Sequence, residues 1–93
     1  MPIDTGDLTK KTYDAIIVAA ERFNHDLTLA FGMLSYECDD EKMFIRESEK
    51  LARQMLEYDE YDIDDLFFGN PPPQADFIKA VEKILANIAK LKK

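Results

Sequence analysis

Acidic side chains are the residues of this sequence best suited to chemistry, and they are concentrated in one stretch. Residues 57–65 contain six carboxylates. Clustered carboxylates are the ligands that calcium and magnesium prefer. An EF-hand calcium loop also needs an oxygen ligand at its fifth position and glycine at its sixth. A loop that starts at Asp62 has Leu66 and Phe67 there instead, so the spacing predicts a solvated acidic face and no metal site.

Two acid pairs with i,i+3 spacing suggest a different metal chemistry. They are Glu37 with Asp40, and Glu57 with Glu60. The pairs resemble those of helical magnesium-dependent nucleotide pyrophosphohydrolases of the MazG type. That family has Glu-x-x-Glu first and Glu-x-x-Asp second, and here the order is reversed. The resemblance implies an all-α nucleotide pyrophosphohydrolase as one alternative, and it requires the four acids to converge on bound magnesium.

Other residues with catalytic or cofactor-binding chemistry stand alone in the sequence. His25 is the one histidine and Cys38 the one cysteine, and the three glycines are isolated from one another. Nucleophilic catalysis needs an adjacent base, histidine and cysteine metal sites need several ligands, and a phosphate-binding loop needs clustered glycines. We therefore expect no catalytic residue, no cofactor and no metal, and hence a protein that is not an enzyme.

The acidic stretch leads into Asp65-Leu66-Phe67-Phe68-Gly69-Asn70-Pro71 and then into an amphipathic segment. This order resembles the partner-binding region of the helical immunity proteins that inhibit nuclease bacteriocins. In that family an acidic helix leads into Asp-Leu-x-Tyr-Tyr-Pro, whereas phenylalanines replace both tyrosines here. The resemblance implies a toxin-blocking surface with acidic contacts and with Phe67 and Phe68 as anchors.

The charge distribution favours a basic partner. The chain carries a net charge of −7, and residues 37–70 contribute 12 acids against 4 bases. Such a field steers basic proteins toward the surface and repels nucleic acids and anionic membranes, so we expect neither of the latter as partners. The predicted partner-binding residues are Glu57, Tyr58, Asp59, Glu60, Tyr61, Asp62, Phe67 and Phe68.

The elements that position these residues are predicted to be helices, because apolar residues recur every three to four positions and no stretch alternates with period two. We predict one domain over residues 1–93, an all-α antiparallel bundle of three principal helices at about 8–37, 40–58 and 74–91. The connection over 59–73 contains a short helical turn. Asn24-His25-Asp26 and Gly32 are poor helix formers, so the sequence leaves open whether the first helix is continuous.

The second half of that first helix is apolar nearly all round, which suits the centre of a bundle or contact with a second subunit. The sequence therefore favours a homo-oligomer, such as a homodimer, which also fits the limited core of a 93-residue chain. The predicted self-association residues are Leu29, Met33 and Tyr36. A single cysteine, no leader-like N-terminus and no apolar run of about 18 residues favour a cytoplasmic location.

These observations predict a small acidic interaction module, which would be an adaptor or an inhibitor of a basic protein partner. Two alternatives remain at this level. One is a self-associating structural helical protein, and the other is the magnesium-dependent hydrolase that the acid pairs suggest.

Overall fold

A computed structural model describes residues 10–67 and 70–92, and all regular structure in these ranges is helical, which confirms the all-α class. The last predicted helix, at 74–91, is found, and the second begins and ends within a few residues of the predicted 40–58. The short predicted turn is a helix of two turns. In chain order the helices are α1 Lys10–Phe23, α2 His25–Glu37, α3 Glu41–Met55, α4 Glu60–Leu66 and α5 Gln74–Leu91.

The first predicted helix, at about 8–37, whose continuity the sequence left open, is broken at Asn24 into α1 and α2. Asn24 has extended backbone angles (φ −164°, ψ 144°), and its side-chain oxygen accepts a hydrogen bond from the backbone N–H of Asp26 at 2.6 Å. Asparagine is among the preferred N-cap residues because it satisfies a backbone donor that the first turn leaves unpaired. Four long helices therefore replace the predicted three. Residues 8 and 9 lie outside the described ranges.

Helix α5 packs against both α1 and α3. The Asn87 side chain near the end of α5 donates to the Ala15 carbonyl near the start of α1, at 3.0 Å. At the other end, the ring of Phe77 lies 6.5 Å from that of Phe23. On the α3 side, Lys92 pairs with Glu49 at 3.1 Å, so the end of α5 also lies beside α3.

The core takes side chains from all five helices. The end of α2 returns toward the start of α1, where the Thr12 hydroxyl donates to the Glu41 carboxylate at the beginning of α3. Cys38, between α2 and α3, is buried, as expected for a small packed side chain. The pKa of its thiol is raised, first by burial and then by nearby carboxylates, chiefly Glu47. The largest fully buried apolar residues are Ile16, Leu27, Phe31, Phe44, Met55, Ile63, Phe77, Val81, Ile84 and Ile88.

Candidate functional site

An exposed apolar surface lies along α2, and we call it the α2 face; it consists of Leu29, Gly32, Met33 and Tyr36. The side chains of Leu29, Met33 and Tyr36 are 51%, 65% and 61% exposed. A Cβ atom built on Gly32 would meet no atom within 4 Å. With 3.6 residues per turn, these four positions share one side of the helix. The α2 face therefore forms a continuous apolar stripe.

The α2 face is opposite to the side of α2 that packs in the core. Leu27 and Phe31 are fully buried. They lie about half a turn away from Leu29 and Met33 around the helix. Helix α2 is therefore apolar on both sides, and the described chain covers only one of them. Its buried Ser35 hydroxyl donates to the Gly32 carbonyl at 2.6 Å, so the helix needs no further partner for that polar group.

The area of the α2 face is similar to that of the largest apolar patch on a typical monomer. Taking about 200 Å² for a fully exposed large side chain, the three exposed fractions correspond to roughly 350 Å² of apolar surface. Monomeric soluble proteins seldom expose apolar patches beyond a few hundred Å², and their largest patches are often functional. The structure thus places the predicted self-association residues Leu29, Met33 and Tyr36 together on the outside of the chain.

The acidic residues surround the start of α4. Asp59 and Asp62 form a reciprocal capping box, in which the Asp59 side chain accepts from the Asp62 N–H at 2.9 Å and the Asp62 side chain from the Asp59 N–H at 3.1 Å. Glu57 and Glu60 are exposed on either side of Asp59. Within residues 10–67 and 70–92, none of these four carboxylates forms an ion pair. No cation among the described residues therefore neutralises them, although Asp59 and Asp62 are stabilised by the N-terminus of α4.

The aromatic residues of this segment are placed differently from the prediction. Phe67 is 2% exposed and contacts Phe23 and Phe77 edge to face, with ring centroids 6.4 Å and 5.8 Å apart. The prediction that Phe67 is a surface anchor is therefore wrong, because its ring is buried in the core beneath α4. Tyr58 is half-buried and stacks on Phe77 at 6.0 Å. Tyr61 is 81% exposed. Phe68 lies outside the described residues.

The four acids that would build a magnesium site are not brought together. Glu37 and Asp40 precede α3, whereas Glu57 and Glu60 follow it. The 15 residues of α3 hold the two pairs roughly 22 Å apart. Among the described residues, no group of three or more histidine, cysteine or acidic side chains is arranged to hold a metal ion. The convergence that the hydrolase alternative requires is therefore not found, because α3 is continuous between the pairs.

Sequence reasoning missed two separate depressions between α1 and α5 that cationic side chains line. The first, of about 300 Å³, is also lined by Ala19, Ala80 and Asp76, and the second, of about 360 Å³, by Ala15. None of their cations pairs with an acid in the described parts of the chain. The helical spacing of the lysines in α5 could have indicated a basic surface. The other cations come from α1, which is distant in the sequence. The cationic residues are Lys11, Arg22, Lys79, Lys83 and Lys90.

No helix within the two described ranges combines the length and the apolar character that a membrane span requires. No protein-family model, no curated protein and no solved structure matches this chain. The argument about function therefore depends on the surfaces described above.

Proposed function

We propose that this protein is a small non-enzymatic interaction module that binds another protein surface through the α2 face. The observation that carries the proposal is that Leu29, Met33 and Tyr36 are each more than half exposed in one line along a helix. Isolated apolar residues on a surface need no explanation, but a contiguous stripe of large ones marks an interaction site. Tyrosine and methionine are also enriched at protein interfaces.

The α2 face does not serve the fold of the single chain. Its side chains point away from a core that Leu27 and Phe31 already fill from the same helix. Burying apolar surface contributes about 25 cal/mol per Å², so covering roughly 350 Å² yields several kcal/mol of gross driving force for association. That energy is available only when a partner covers the face. The proposal therefore assigns these three side chains a role in binding a partner, because they have no role in the fold of the monomer.

Photo-crosslinking tests this proposal without assuming the partner. A photoreactive amino acid is placed at Met33, and the control carries it at Glu82, an exposed position on α5. We expect a discrete crosslinked product from position 33, either with a second copy in purified protein or with one other protein in extract. The product should disappear when Leu29 is changed to glutamate. Equal labelling from positions 33 and 82, or no product from position 33, would contradict the proposal.

A second candidate function is the binding of a basic protein through the acidic residues around α4. Tyr61, which is 81% exposed, favours it because it stands among four exposed carboxylates that form no ion pair with described residues. An exposed aromatic beside such charges provides an anchor, while the charges raise the association rate.

A lysine-rich peptide is a suitable probe of the second candidate, with binding measured by calorimetry at low and high salt. Glu60→Lys is expected to weaken binding more than Glu82→Lys, which makes the same charge change on α5. Tyr61→Ala should weaken it further at high salt, where charge interactions are screened. If Glu60→Lys and Glu82→Lys weaken binding equally, the peptide senses only net charge and the acidic residues form no site.

A further inference from the structure

We infer that the occupant of the α2 face is the α2 face of a second copy, with the two helices antiparallel about a two-fold axis near Gly32 and Met33. This inference rests on the proposed function and names its partner. It is drawn from the symmetry of the face, from the charges at its two ends and from its area.

The spacing of the α2 face is compatible with its own reverse. Leu29 and Tyr36 stand at its two ends, equally far from a midpoint between positions 32 and 33. A two-fold interface must be self-complementary, so that residue i contacts j and j contacts i. Antiparallel pairing about this midpoint places Leu29 against Tyr36 of the second copy, and the reverse contact follows by symmetry.

Gly32 provides the space that such pairing needs at its centre. A Cβ on Gly32 would have no neighbour within 4 Å, so the surface there is a shallow notch beside Met33, which is 65% exposed. Helix packing inserts side chains of one helix between those of the other, and methionine adapts to irregular gaps. Near the axis, Met33 of each copy fits the notch at Gly32 of the other.

The charges at the two ends of α2 favour the antiparallel orientation. Glu37, Asp39 and Asp40 are exposed at its C-terminal end, whereas its N-terminal end begins at His25 and carries the positive end of the helix dipole. Asp26 is the one acid in the first turn. Parallel pairing would bring the two acidic ends together. Antiparallel pairing places the acidic end of each copy beside the N-terminus of the other, which is the complementary arrangement.

The area of the two α2 faces is that of a weak, transient dimer. Together they contribute roughly 700 Å² of apolar surface, which is less than the about 1,200–2,000 Å² that stable specific interfaces bury. We therefore expect a dimer that forms only as the protein concentration is raised.

Cysteine crosslinking tests the orientation, in a Cys38→Ala background so that no native thiol interferes. Met33→Cys should form a disulfide with itself, because the two positions lie close to the axis. Leu29→Cys and Tyr36→Cys should form a disulfide with each other when the two variants are mixed, but neither should form one with itself. In the antiparallel pair, the same position in the two copies is separated by seven residues of helix, or about 10 Å, which is beyond the reach of a disulfide. Strong crosslinking of Leu29→Cys and of Tyr36→Cys each with itself would indicate parallel helices and overturn the inference.

Sedimentation equilibrium over about 5 to 500 μM tests the dimer itself. We expect the wild-type chain to dimerise with rising concentration. The double variant Leu29→Glu, Met33→Glu should sediment as a monomer, and circular dichroism should show that it is folded. Ala86→Glu with Ala89→Glu, which adds the same two charges at exposed positions of α5, should dimerise as the wild type does. A dimer that the double variant leaves intact would overturn the inference, because it would use another surface.

A wild-type chain that is monomeric throughout this range also overturns the inference. The proposed function then stands or fails separately. Photo-crosslinking from position 33 to one other protein would retain the α2 face as a binding surface, whereas the absence of any product from position 33 would remove both.

Discussion

Replacing Gly32 by alanine is expected to stabilise the isolated chain and to weaken its self-association. Gly32 lies inside α2, where alanine is favoured over glycine by about 0.8–1 kcal/mol. The added methyl group has no neighbour within 4 Å, so no clash offsets this gain. In the dimer the same methyl group occupies the notch that receives Met33 of the second copy. The two effects therefore have opposite signs.

Urea unfolding followed by circular dichroism, at a concentration too low for dimerisation, measures the first effect. For a small protein that loses about 1–1.5 kcal/mol per molar urea, the midpoint should rise by roughly 0.5–1 M with an unchanged slope. Sedimentation at high concentration measures the second effect, and Gly32→Leu should weaken the dimer further. A lower midpoint for Gly32→Ala would show that the notch is already filled in the monomer and would refute the reasoning.

Three further changes test the packing and the charge interactions. Leu27→Ala should lower the unfolding free energy by about 2–5 kcal/mol, because Leu27 is fully buried. Leu29→Ala should change it by less than about 0.5 kcal/mol in the monomer. Equal losses would place both residues in the core. Ser48→Ala should raise the melting temperature, because this fully buried hydroxyl has no hydrogen-bond partner among the described residues. Ser35→Ala, which removes the bond to Gly32, should not. The hydrogen bond from Lys92 lowers the pKa of Glu49. Their pairing therefore stabilises the fold at pH values above the usual carboxylate pKa. This contribution is lost as the pH falls through the lowered pKa. Lys92→Ala should therefore reduce stability by less than about 1 kcal/mol at neutral pH and by nothing near pH 2, and a difference that persists at pH 2 would contradict the ion-pair assignment.

Much of the secondary structure was predictable because local periodicity and capping residues determine it. The repeat of Phe77, Val81, Ile84 and Ile88 identified α5, and all four are fully buried. The break at Asn24 was harder to predict. A capping residue also occurs inside helices, and only the packing of α2 back toward the start of α1 decides between a bend and a straight helix.

The candidate sites were only partly predictable. Acidic residues near α4 are exposed as predicted, because charges are costly to bury. Phe67 and Tyr61 lie six residues apart in the same segment, yet one is buried in the core and the other is 81% exposed. Residue type does not distinguish them, because the difference depends on whether each ring points toward the core or toward solvent.

The sequence by itself determined that the chain is helical and acidic, because these properties depend on residue type and on spacing within one segment. It also showed that α2 carries more apolar residues than one buried side requires. Only the tertiary structure decided which of them remain outside. Leu27 and Phe31 fill the core, and Leu29, Met33 and Tyr36 are left on the surface, because α2 lies at the edge of the packed helices and only one of its two apolar sides faces the rest of the described chain.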